Sequence, residues 1–203
     1  WWGMNDYVKR RVRELAGLGY IAMAVDFYGN GKRADNPTDA GKLATPFYQD
    51  PQMAKQRFDA ALATLRGYSQ TDTTKIAAIG YCFGGTQVLN MANLGENLAG
   101  VVSFHGGLQV VTPDKAKLKA NVLVCHGGAD PFVPAEQVAQ FRKQMDSIGA
   151  KYTFKVYDGA THAFSNPDAT ASGEKFKIPI AYNAAADTAS WNDMKTFFGT
   201  IFK

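Results

Sequence analysis

The stretch IAAIGYCFGGT, residues 76–86, decides how the rest of the chain is read. A short, mostly apolar run enters Gly80, and Gly84 and Gly85 follow Tyr81-Cys82-Phe83. A strand that runs into G-x-nucleophile-x-G and out into a helix is an elbow that lifts one side chain out of the sheet. Such a turn is tight, so a side chain at Gly80 or Gly84 is expected to crowd it. The nucleophile position holds Cys82, not serine. At a helix N-terminus the positive end of the dipole favours a thiolate, and the N–H of Phe83 is expected to point where an oxyanion would form. The competing reading is an inert, buried cysteine in a glycine-rich bend.

The flanking sequence supports the elbow. Residues 5–18 place Tyr7, Val8, Val12, Leu15 and Leu18 at helical spacing, with Asn5 able to cap the start and Gly19 to close the end. YIAMAV, 20–25, reads as a buried strand. A polar loop rich in Gly, Pro and Asp then runs to about Pro51, long enough to suggest a functional role. Residues 52–66 read as a helix, KIAAIGY as a strand and 83–94 as the helix behind the elbow. AGVVSFH, 99–105, and NVLVCH, 121–126, read as strands, Ala135–Ile148 as an amphipathic helix behind Pro134, YTFKVY, 152–157, as the last strand, and Tyr182–Phe202 as a closing helix. Strands alternating with helices imply a mostly parallel α/β sheet covered on both faces. Sites in such sheets form beyond the carboxyl ends of the strands. The turns marked by Gly80, Gly106 and Gly127 should therefore share one edge.

Two further residues fall after strands of this series. Asp130, in HGGADPFVP, can reach a histidine on a neighbouring loop, although Asp-Pro is also ordinary turn chemistry. His162, in DGATHAF, has an apolar flank in Ala163 and Phe164. Cys82, Asp130 and His162 stand in the order nucleophile, acid, histidine that the α/β-hydrolase architecture requires. His105 and His126 each end a strand before a glycine and are expected to make structural hydrogen bonds, with His105 also a candidate for the pocket wall. No metal-ligand spacing occurs, and neither phosphate-binding glycine motif is present, so no cofactor is expected.

Composition bounds the rest. A hydrophobic fraction of 46% over 203 residues supports one domain with a sizeable core. No apolar run approaches the ~20 residues of a membrane span. The net charge of +4 is small, and its densest patches, around Lys9–Arg13 and Lys115–Lys119, lack interleaved aromatics, so no nucleic-acid partner is expected. Two cysteines are too few for a disulfide framework, and they lack the C-x-x-C spacing of a redox pair.

The sequence resembles the dienelactone hydrolase family, of the α/β-hydrolase fold, through WWGMNDY, GYIAMAVDFYG, IGYCFGG, HGGADPFVP and DGATHAFSNP, which span nearly the whole chain in that family's order. The resemblance implies a single domain over residues 1–203 that hydrolyses esters or lactones without a cofactor. It implies Cys82 as nucleophile, Asp130 as orienting acid, His162 as base, and an oxyanion hole from the N–H groups of Phe83 and Trp1. Trp2, His105, Phe132, Phe164 and Asn166 are the expected substrate contacts. Family members carry two or more strands and a glutamate ahead of the tryptophan pair, so the N-terminal strands and that glutamate are expected upstream of Trp1. They also carry, in enzymes acting on dienelactone itself, an arginine where this chain has Asn166. The expected partner is a small-molecule ester or lactone, with no membrane, and the expected state is a monomer or weak homodimer. Members with signal peptides are known, so the compartment stays open between cytoplasm and periplasm or exterior. Two alternatives remain: a thioesterase or broad carboxylesterase on the same triad, and a non-catalytic binding member of the fold.

Overall fold

The computed structural model describes residues 1–203, which divide into two compact units, Trp1–Thr73 and Thr74–Lys203. In the first unit, three helices form: α1 (Asp6–Gly17), α2 (Pro37–Gln49) and α3 (Pro51–Arg66). Each start is fixed by a side chain that accepts from an orphan N–H of the first turn. Asn5 accepts from Val8, Asn36 from Asp39, and Asp50 from Gln52 and Met53. Pro37 and Pro51 then occupy the first helical position, where a missing N–H costs nothing. Phe47 packs across the rings of Phe27 and Tyr28, at centroid distances of 6.0 and 5.8 Å.

Two expectations fail in this unit. Residues 20–25 form no ladder strand. An apolar run states a need for burial, whereas a strand also needs a hydrogen-bonded neighbour, and this unit is built of helices. The expected polar loop up to Pro51 contains α2, whose Pro46, Gly41 and Asn36-Pro37 read as turn chemistry.

The second unit holds the sheet. β1 (Ala77–Tyr81), β2 (Gly100–Phe104), β3 (Asn121–Gly127) and β4 (Tyr152–Tyr157) are all parallel and lie side by side in chain order. The register aligns Tyr81, Phe104, Cys125 and Lys155 across the four strands. Whatever follows those positions therefore emerges at one carboxyl edge. The helices are α4 (Phe83–Leu94), α5 (Ala135–Ser147), α6 (Ala169–Phe176) and α7 (Ala184–Ile201). No helix is long and apolar enough to cross a membrane.

Strand parity shows how β2 is sandwiched. A Cβ at Gly85 of α4 would press on the Ser103 hydroxyl, and a Cβ at Gly100 would press on Phe197 and Ile201 of α7. Ser103 and Gly100 are an odd number of positions apart, so they face opposite sides of the sheet. Accordingly α4 and α7 cover opposite faces, and every residue of β2 is buried. α4 closes on Gly95 in the left-handed conformation (φ 93°), with the Glu96 N–H returning to the Met91 carbonyl at 3.0 Å. α7 starts where Asn183 accepts from Ala186, two residues inside the expected helix. α6 had no counterpart in the sequence reading, because ATASGEKF carries no apolar stripe.

Candidate active site

The elbow is a strained turn. Cys82 takes φ 52° and ψ −115°, a backbone state that residues with a Cβ rarely adopt. A Cβ at Gly80 would fall on the carbonyl of Gly84, whereas one at Gly84 meets nothing. The crowding expected at both positions thus holds at Gly80 and is absent at Gly84. Gly85 is the second tight position, since its Cβ would also approach the Gly106 Cα, at 2.9 Å. Gly80→Ala is expected to lower stability by about 3 kcal/mol, as overpacking against fixed backbone does. Gly84→Ala should leave the melting temperature unchanged or raised; an equal loss in both variants would refute this account of the turn.

Cys82 is the N-cap residue of α4, yet its side chain makes no cap hydrogen bond. Its sulfur instead lies 3.0 Å from Nε2 of His162, and the Phe83 amide bonds back to it. On the far side of the ring, His162 Nδ1 lies 2.8 Å from Oδ2 of Asp130. The other oxygen of that carboxylate accepts from the Phe132 N–H at 2.9 Å. With both oxygens held, Asp130 fixes the ring's orientation and, as an acceptor, places the Nδ1 proton between them, leaving Nε2 for the thiol. The Asp130 side chain is fully buried and that of His162 is 11% exposed, so water barely screens their pairing. Cys82, Asp130 and His162 follow β1, β3 and β4 respectively, at the common edge.

The electrostatics follow from this contact. Crowding around Cys82 works to raise its thiol, but the facing imidazole and the Phe83 amide outweigh it, and the thiol is lowered. Burial of His162 works to lower it, but the facing sulfur and Asp130 outweigh that, and the imidazole is raised. The pair therefore favours thiolate and imidazolium together, and its titration belongs to both groups. Cys125 is the contrast: burial pushes its thiol up to about 12, although Tyr157 donates to it at 3.5 Å. Iodoacetamide at neutral pH is expected to label Cys82 and spare Cys125, with the Cys82 rate rising as the pH climbs through the lowered thiol value. Equal labelling in the folded protein would overturn this contrast.

The loop that carries His162 is held from outside the sheet. His162 pairs with Ile180 as an isolated parallel bridge, the Ala181 N–H reaches the His162 carbonyl at 3.4 Å, and the Asn183 N–H reaches that of Phe164 at 2.9 Å. This strap of residues 178–183 has no periodicity by which the sequence could reveal it. Phe132 is 49% exposed and sets its ring edge-on to His162, at 5.1 Å between centroids. Phe164 is fully buried against His105 and Tyr157. Asn166 is used locally, its side chain accepting from the Asp168 N–H at 3.1 Å. His126 is buried beside Phe154, and that burial lowers its imidazole. Trp1 and Trp2 lie in the first unit, their rings packed edge to face at 4.8 Å. No group of three or more His, Cys, Asp or Glu side chains is placed to hold a metal ion.

Comparison with known proteins bears on what such an arrangement serves. The sequence model of the dienelactone hydrolase family matches residues 1–202. A protein of Aquifex pyrophilus known as protein usf is 31% identical, over 98% of this chain and 84% of its own length. A putative carboxymethylenebutenolidase of Aquifex aeolicus is 29% identical, over 100% of this chain and 86% of its own. Among solved structures, a dienelactone hydrolase-like promiscuous phosphotriesterase from metagenomic libraries superposes with a TM-score of 0.90 at 32% identity, over 98% of this chain and 82% of that one.

Proposed function

Since the chain belongs to the dienelactone hydrolase family, we propose that it hydrolyses esters or lactones through Cys82, His162 and Asp130 and a thioester intermediate. The observation that carries this reading is the continuous chain of contacts from sulfur to Nε2 and from Nδ1 to carboxylate, at 3.0 and 2.8 Å.

In this reading the Cys82 thiolate attacks the substrate carbonyl, and the oxygen takes up negative charge beside the Phe83 N–H at the start of α4. Collapse of that adduct breaks the bond to the leaving alkoxide, which takes the proton from His162 Nε2. An acyl group then remains on sulfur. Neutral His162 next removes a proton from water, the resulting hydroxide attacks the thioester, and the thiolate leaves as the carboxylic acid product forms. Asp130 stays ionised throughout and stabilises the imidazolium without taking its proton. A thiolate is too good a leaving group to expel an amide nitrogen readily, so activated esters and enol-lactones fit this chemistry better than amides.

The test is turnover of p-nitrophenyl acetate and a small enol-lactone by the full chain, quenched in acid during the burst. One acyl group should appear on the peptide that carries Cys82. Turnover without any acyl-cysteine would discard the covalent route, and no turnover of either class would favour a binding protein. A neutral phosphotriester belongs in the same screen, because a structural relative with 32% identity is described as acting on that class.

A further inference from the structure

A second imidazole stands beside the elbow, and its partners differ from those of His162. His105 follows β2 directly and is 2% exposed. Its Nδ1 lies 3.1 Å from the backbone nitrogen of Cys82, and its Nε2 lies 2.7 Å from Oγ of Ser165. A backbone N–H can only donate, so Nδ1 must accept, and the ring proton must sit on Nε2, facing the serine. The ring thus joins two loops: the elbow that carries Cys82 and the loop that carries His162, three residues before Ser165. It also packs edge-on against His162 itself, at 5.3 Å between centroids.

Backbone strain falls at the same three places. Cys82, His105 and Ala163 are among the five non-glycine residues with positive φ, at 52°, 41° and 59°. Such states persist only where surrounding contacts over-determine them. The Cys82 N–H donates to the Phe104 carbonyl at 3.0 Å as well as to His105, so the elbow's amide is held from two directions.

We infer that His105 is a positioning residue: as a neutral Nε2–H imidazole it anchors the strained Cys82 amide and ties the elbow to the base loop through Ser165, setting the sulfur-to-Nε2 distance. The division of labour between the two rings follows from their partners. His162 faces a thiol and a carboxylate, so it can receive a proton and keep it. His105 faces an amide N–H, so a proton on Nδ1 would set donor against donor and break the anchor. The proton that leaves Cys82 therefore has one destination.

This inference rests on the proposed triad, and the experiment separates the two. His105→Gly accepts the positive φ but removes the acceptor, while His105→Asn tolerates positive φ and keeps an acceptor oxygen near the Nδ1 position. His105→Gly is expected to lose about 10²-fold in kcat, the scale on which a small misplacement of reacting groups is felt, with KM little changed. The thiolate absorbance of Cys82 should titrate at higher pH in this variant, because the sulfur no longer sits squarely on the imidazole. His105→Asn should recover most of both losses, and free imidazole added to His105→Gly should recover part of its kcat without accelerating wild type. Wild-type kcat in His105→Gly overturns the inference, as does an equal loss in the Gly and Asn variants with no rescue by imidazole. Should His105→Gly fail to fold, Ser165→Ala carries the test: a several-fold loss in kcat supports the tie between the loops, and an unchanged kcat overturns it. Turnover by Cys82→Ala at the wild-type rate would instead sink the triad, whatever the His105 variants do.

Discussion

Cys82→Ala is expected to lose activated-ester turnover by about 10⁴-fold or more, the scale seen when one member of a nucleophilic triad is removed. The change should leave the fold intact, because the sulfur makes no cap hydrogen bond and the tight contacts of the turn belong to Gly80 and Gly85. Circular dichroism and the melting temperature separate loss of chemistry from loss of structure. Cys82→Ser keeps the elbow and the Phe83 N–H but substitutes an alcohol that His162 must deprotonate outright. Residual activity above the alanine variant is expected there. Wild-type rates in Cys82→Ala would falsify the nucleophile assignment.

The second large effect concerns His162 and Asp130. His162→Ala is expected to approach the loss in Cys82→Ala, since residues that act as a unit fail together. Asp130→Asn should lose less, by about one or two powers of ten relative to His162→Ala, because in the proposed mechanism the carboxylate orients and stabilises but carries no proton to substrate. Its measurable trace is the pH profile of kcat/KM. The carboxylate helps hold the imidazole above its ordinary value, so without it the imidazole should fall and the alkaline limb should move to lower pH. A larger loss for Asp130→Asn than for His162→Ala, in a folded variant, would reverse the two roles.

What the sequence revealed divides along a physical line. The sheet of the second unit and the helix behind the elbow were legible because these elements obey local rules. YTFKVY is β4, its first four residues alternating between half-buried and exposed, and the helix behind the elbow begins and ends at Phe83 and Leu94 as expected. Parallel strands of one register bring their following loops to one edge, so Cys82, Asp130 and His162 could be grouped from chain order alone. What was not legible depends on partners distant in sequence or on chemistry with two meanings. The run at 20–25 is apolar enough for a strand but belongs to a unit with no ladder to receive it. Asn36-Pro37 marks a turn as readily as it starts a helix, and here Asn36 caps α2. The partner of His105 lies 60 residues away, in a loop where a serine carries no local signal. Gly84 and Gly85 are adjacent and chemically identical, and only the position of Ser103 and Gly106 decides which of them is indispensable.

The strand order of the second unit has a consequence for how the protein is assembled. Cys82 and His162 are 80 residues apart, and β2 and β3 lie between β1 and β4 in the sheet, so the two residues meet only when all four strands are in place. Every pairing in that sheet is a parallel one, which closes a long loop before it gains a contact, so slow folding is expected from the topology. Until the final strand docks, Cys82 is an ordinary thiol without its imidazole, and thiol reactivity at neutral pH becomes a clock for completion of the sheet. In a refolding experiment sampled with short pulses of alkylating agent, the fast-reacting thiol should emerge with the last kinetic phase, alongside the burial of Cys125 and not ahead of it.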